Sequence, residues 1–166
     1  MPEAVQLHCD GASWEEVISV QTGILETYRD DFSKYATGKN LVRLQAIIEY
    51  LARGLGAKVK YANIDRDSNS RDVKQVLDLI IKAGVVLKAV HSQGDGIPLN
   101  AQIDLKVFKL YCLDLGLYNR ICRLDYLSDR DFREERFVNE GGLAEQFIAQ
   151  QLAFSETPLL SPSLHY

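Results

Sequence analysis

The polar residues most suggestive of chemistry lie on one predicted helix, residues 71–83. The side chains on one face of that helix recur at helical spacing: Arg71, Lys74, Gln75, Asp78 and Lys82. Arginine and lysine neutralise phosphates, and glutamine can bond to a base edge in the major groove. The face therefore predicts either contact with DNA or an ordinary solvated surface. The second interpretation is favoured because Asp72 and Asp78 reduce the positive charge of the helix.

The region around this helix is basic, although the chain is acidic. Residues 58–91 hold seven lysines and arginines against four aspartates, a local charge of +3 in a chain of net charge −4. An acidic chain repels polyanions overall, so any nucleic-acid contact must come from such a local patch. We take Arg71, Lys74, Gln75 and Lys82 as the candidate contacts for DNA or a protein partner.

No complete catalytic or nucleotide-binding motif is present in the sequence. A phosphate-binding loop needs G-x-x-x-x-G-K-[ST], whereas Gly38-Lys39-Asn40 has Ser33 at the first glycine position and lacks the final hydroxyl residue. That segment predicts a turn between helices. Asp30 and Asp31 are adjacent and diverge by about 100° on a helix, so they predict surface residues, with Asp31 placed to pair with Lys34 or Tyr35.

Metal and nucleophile signatures are also missing. The three histidines, His8, His91 and His165, are far apart, and none has a partner at metal-ligand spacing. Cys112 lies in an apolar run, which is typical of a core thiol. The sequence therefore predicts no catalytic residue, no metal and no cofactor within this chain.

Helices dominate the predicted elements. A capping box at Ser13 and Glu16 predicts a helix that continues to about Tyr35. A second helix, with Asn40 as its cap, is expected to end at Gly54 or Gly56, and a third to span residues 71–83 with Ser70 as its cap. Further helices are predicted at 115–124, 130–137 and 143–153, with loops at 128–129 and 141–142.

Short strand signals interrupt the helices. Alternation at 58–61 predicts a short strand, and apolar runs at 85–90 and 107–112 around a polar loop predict a hairpin. This order is that of a winged helix-turn-helix. We therefore expect a mainly helical α+β fold with an N-terminal helical segment (1–40), a winged-helix-like domain (41–113) and a helical C-terminal segment (114–166), whose last residues, 163–166, look like the start of a strand.

Composition indicates a globular, cytoplasmic protein. Hydrophobic residues make up 46% of the chain, enough for a packed core, yet no apolar run approaches the length of a membrane span. No signal peptide is evident at the N-terminus. The odd number of cysteines, Cys9, Cys112 and Cys122, predicts reduced and buried thiols.

Several ordered segments resemble a known family. The similarity is to the C-terminal domain of unknown function in predicted prokaryotic AAA+-superfamily ATPases. The segments that resemble it are residues 1–5, Ser13-Trp14, 24–35, 108–117 and 142–152. The resemblance implies that an ATPase module, with ATP and magnesium as its cofactors, lies N-terminal in the parent chain and is this region's first partner. It also implies a restriction-endonuclease-like element after residues 164–166, with Glu145 at its helical acidic position.

These observations lead to three hypotheses for function. The leading one is a non-catalytic recognition or regulatory region of an ATPase that binds DNA or a protein partner. The second is a truncated part of a nuclease-like domain, in which Glu145 alone cannot hold a metal productively. The third is a scaffold that mediates self-association as a homo-oligomer.

Overall fold

A computed structural model describes residues 1–36, 38–93, 103–123, 140–155 and 164–166. The helices in these residues are α1 (Pro2–Cys9), α2 (Trp14–Tyr35), α3 (Lys39–Arg53), α4 (Tyr61–Ile64), α5 (Ser70–Lys82), α6 (Leu115–Ile121) and α7 (Glu140–Ser155). The strands are β1 (Val86–Ser92), β2 (Ile103–Cys112) and β3 (Leu164–His165). The expected α+β class, with mainly helical content, is confirmed.

The N-terminal region contains two helices packed against each other. α2 begins as predicted, because the Ser13 hydroxyl accepts from the Glu16 amide and the Glu16 carboxylate accepts from the Ser13 amide. Lys34 forms the expected ion pair with Asp31, at 2.8 Å. α1 was not predicted from the sequence; of its residues only Ala4 is buried, so it lacks the apolar stripe that signals a helix.

Two predicted helix caps were wrong. α3 begins two residues earlier than expected, with Gly38 as its cap, and Asn40 instead accepts a hydrogen bond from Arg43 within the helix. α5 is capped by Asn69, whose side chain accepts from the Arg71 amide, so Ser70 is its first residue and not its cap. Gly84, at φ +73°, follows the helix where a stop was expected.

The sheet has strand order β2-β1-β3. β1 pairs with β2 in antiparallel register from Val86 opposite Cys112, with an irregularity between Val90 and His91, and pairs with β3 in parallel. The strand predicted at 58–61 is reduced to one antiparallel bridge between Val59 and Phe108, because Tyr61 already begins α4. The strand start expected at the end of the chain is confirmed by β3.

Helices cover both faces of this sheet. Successive strand residues point to opposite faces. Phe108 contacts Tyr61 of α4, with ring centroids 4.7 Å apart, whereas Tyr111 bonds to Glu145 of α7. α4 and α7 therefore lie on opposite faces. α7 begins at Glu140, so the loop predicted at Gly141-Gly142 is wrong.

The largest apolar side chains that are fully buried come from several elements: Ile47, Leu77, Ile80, Phe108 and Leu110. The core also includes Phe32 and Ala149, so it draws on all three predicted segments, and their boundaries stay predictions. Cys9 is exposed, against expectation. None of the helices just named is long and apolar enough to span a membrane. The helix predicted at 130–137 and the loop at 128–129 lie outside the described residues.

Candidate nucleic-acid interface

α5 is a helix with two distinct faces. Its inner face buries four apolar side chains, Val73, Val76, Leu77 and Ile80, against a core shared with α3, α4 and β1. Burial of this stripe fixes the rotation of the helix about its axis, because turning it would expose all four side chains. The opposite face is thereby held toward solvent.

The four predicted contact residues share this outer face. Arg71, Lys74, Gln75 and Lys82 are all exposed, as the helical spacing predicted. Leu79 lies exposed on the same helix, at 47%. The face thus offers three cationic groups and one amide along three turns of helix, a set of donors that can meet phosphates and base edges.

The acidic residues of α5 do not weaken this face equally. Asp72 accepts from Arg43 of α3, with 2.7 Å between the guanidinium nitrogen and the carboxylate oxygen. Arg43 is itself held by Ser68, at 3.1 Å, and its side chain is only 13% exposed. The charge of Asp72 is therefore compensated within the fold, which leaves the half-buried Asp78 as the opposing charge on α5.

Arg43 was missed from the sequence. It lies 29 residues before Asp72, on a different helix, and no local periodicity connects the two. Only the packing of α3 on α5 brings them together.

Not every lysine in the basic region belongs to this surface. Lys88 donates to the Tyr61 hydroxyl at 2.9 Å, and its ammonium lies 4.5 Å from the centre of the Phe108 ring. These contacts engage Lys88 within the fold as a cation–π partner. The local excess counted from the sequence therefore overstates the charge available to a ligand.

Glu145 lies apart from α5, on α7. Its Oε2 accepts from the Lys109 ammonium at 2.8 Å and from the Tyr111 hydroxyl at 2.9 Å. The hydrogen bond from Lys109 lowers the pKa of Glu145, with a smaller contribution from Tyr111. Burial, and then the bond to Glu145, raises the pKa of Tyr111. This carboxylate is engaged with a lysine and a tyrosine, and the described residues contain no cluster of three potential metal ligands.

Two histidines pack against aromatic rings, and one cysteine is buried in the core. His8 stacks on Trp14 with ring centroids 4.6 Å apart, and His91 meets the Tyr166 ring edge-on at 5.2 Å. Burial raises the pKa of the Cys112 thiol to about 12, so it stays protonated at neutral pH. Cys112 is the core residue that the sequence predicted.

One family model matches most of the chain. It covers residues 1–128, from α1 through the whole of α6, and thus includes every predicted contact residue of α5. No curated protein and no solved structure matches the chain. The match covers more than half of the sequence, and the chain therefore belongs to the family described as Domain of unknown function (DUF8612).

Proposed function

We propose that this chain is a non-catalytic recognition module that binds duplex DNA through the outer face of α5. The observation that carries the proposal is the exposed set Arg71, Lys74, Gln75 and Lys82 on one side of one helix, with Asp72 neutralised by Arg43. Phosphate contacts by cationic residues position a protein on DNA, and contacts with base edges supply specificity. Arg71 and Gln75, one turn apart, have the chemistry to read guanine and adenine.

The topology around α5 supports a winged helix-turn-helix. The chain order matches that of such a unit: α3, the Val59 bridge, α4, α5 and then the paired strands β1 and β2. The bridge places β2 between Val59 and β1. In this motif the second helix of the turn lies in the major groove. In our proposal α5 is this second helix, and its exposed outer face is the side that would enter the groove.

A binding titration tests the proposal. We expect the full chain to bind a fluorescently labelled duplex of about 20 base pairs, more tightly at low salt, because cationic side chains displace counterions from DNA. Replacing Arg71 and Lys74 together with alanine should weaken binding at least about tenfold and reduce the salt slope by about two.

The matched control removes the same charge elsewhere. Arg29→Ala with Arg53→Ala also deletes two exposed cations, from α2 and α3. This variant should bind DNA as the parent does. Equal weakening by both pairs would reduce the interaction to non-specific attraction, and no binding at low salt would reject the proposal.

The family resemblance extends the proposal to an intracellular ATPase. In this version the module reads DNA for an AAA+-type ATPase in the same polypeptide, which would supply ATP and magnesium. The support is the sequence resemblance alone. A longer chain that carries such a module should hydrolyse ATP faster when DNA is added, and the Arg71 and Lys74 variant should lose that stimulation; unstimulated hydrolysis would separate the two activities.

A further inference from the structure

A second surface of the molecule is a groove enclosed by α2, α3 and the end of α6. Its volume is about 820 Å³. Its apolar lining includes Leu44, Ile48 and Ile121, and three arginines from separate elements line it as well: Arg29, Arg53 and Arg123. An apolar surface bordered by like charges is typical of a site for an amphipathic ligand of opposite charge.

The positive charge of this groove is little compensated. Glu49 is the one carboxylate among its lining residues, and it lies 3.9 Å from Arg53, with both side chains more than half exposed. Such exposed pairs hold little energy and reopen easily. No carboxylate of the residues described above lies within ion-pair distance of Arg29 or Arg123. Among the residues that the structure describes, two arginines therefore line the groove without a counter-charge.

Arg123 adds an independent observation. Its φ is +54°, and no other described residue except glycine has a positive φ. This position follows the last turn of α6, where its amide donates to the Arg120 carbonyl at 3.2 Å, and glycine would adopt the conformation without strain. Residues other than glycine that are held in this conformation are found preferentially at binding and active sites.

We propose that this groove binds an amphipathic helix of a protein partner, one that carries aspartates or glutamates beside its apolar stripe. A helix offers apolar residues at i, i+3, i+4 and i+7, which fit the floor, and its flanking carboxylates reach the arginines. A nucleic acid fits this surface less well, because its hydrated backbone has no apolar face for Leu44, Ile48 and Ile121. The proposal does not depend on DNA binding by α5.

Selection from a displayed peptide library tests this proposal with the full chain. The library consists of amphipathic helices of about 18 residues in which the positions beside the apolar stripe vary among acidic, neutral and basic residues. We expect acidic members to be enriched and to bind less tightly at high salt. Enrichment of neutral or basic members, or of none, would overturn the proposal.

Variants then locate the bound peptide. Arg29→Glu with Arg53→Glu should weaken an enriched peptide about tenfold or more, because two attractions become repulsions. The matched charge reversal on α5, Arg71→Glu with Lys74→Glu, should leave peptide affinity unchanged. The opposite pattern would assign the peptide to α5 and reject the groove. Dimerisation of the chain that the peptide disrupts would make the occupant a second copy and also reject the proposal.

Arg123→Gly separates the role of this side chain from the fold. Glycine relieves the positive φ, so the variant should unfold at an equal or higher denaturant concentration than the parent. Peptide affinity should nevertheless fall several-fold. Unchanged affinity would show that Arg123 does not contact the ligand, and the argument from its conformation would fail.

Discussion

α5 and α7 are both long helices that pack on the small sheet, but the residues that face the sheet differ in polarity between them. α5 buries apolar residues and turns its charged side outward. α7 points three polar residues at the sheet and α6, namely Glu145, Gln146 and Gln150, and Leu143 and Ala149 of the same helix pack against the core. It exposes four large apolar residues: Phe147, Ile148, Leu152 and Phe154. The positions of the large apolar residues therefore identify the buried face of α5 but not that of α7.

Gln146 explains how α7 can pack in this way. Its side chain is fully buried, at 0% exposure, and it bonds to both backbone groups of Cys112: Oε1 accepts from the amide at 2.8 Å, and Nε2 donates to the carbonyl at 2.7 Å. The glutamine amide thus completes the ladder at the end of β2 as another strand would. A polar residue takes the central position of this contact because it satisfies two buried backbone groups.

The largest loss of stability is expected from a substitution on the buried apolar face of α5. Leu77→Ala empties space at a fully buried position of α5. The lost burial and the remaining cavity should reduce the free energy of unfolding by about 3–4 kcal/mol. Denaturant titration followed by circular dichroism measures this loss, and Leu79→Ala, at a half-exposed position on the same helix, should lower it far less. Equal losses would contradict the assignment of inner and outer faces.

Gln146→Leu tests the polar contact of α7. Leucine has a similar volume, but it leaves the Cys112 amide and carbonyl without partners in a buried site, so the unfolding free energy should fall by about 2–3 kcal/mol. Gln151→Leu makes the same substitution at an exposed position of the helix and should have little effect. If leucine at position 146 were neutral or stabilising, α7 would be held by apolar contact after all.

Glu145→Gln should have a smaller effect, and one that depends on pH. Because the pKa of Glu145 is lowered in the fold, its contribution to stability is complete above its ordinary value of 4.5 and is lost as the pH falls through the lowered value. Its side chain is 45% exposed, so solvent screening limits the ion pair to about 0.5–1 kcal/mol. The parent should exceed the variant in stability at pH 6, and the difference should narrow as the pH falls below 4.5. A difference that is constant with pH would show that the charge contributes nothing.

The difference between the two helices also explains what the sequence could predict. The inner face of α5 and the exposure of its four contact residues follow from helical spacing, because that helix packs by its apolar stripe. The roles of Arg43 and Gln146 depend on partners 29 and 34 residues away, which no local pattern identifies. Cap choice failed for a similar reason: Asn69 and Ser70 are both good caps, and only the backbone path selects between them.

The smallest effect is expected on the outer face of α7. Leu152 is 52% exposed, so Leu152→Ser removes little buried area and should change the unfolding free energy by less than about 0.5 kcal/mol at micromolar concentrations. Repeating the same measurement at tenfold higher protein concentration tests whether this face is buried by self-association. A parent that becomes more stable with concentration, while the serine variant does not, would show that α7 buries this face against a second copy. Stability that is independent of concentration in both proteins would leave the outer face of α7 in solvent, where the fold places it.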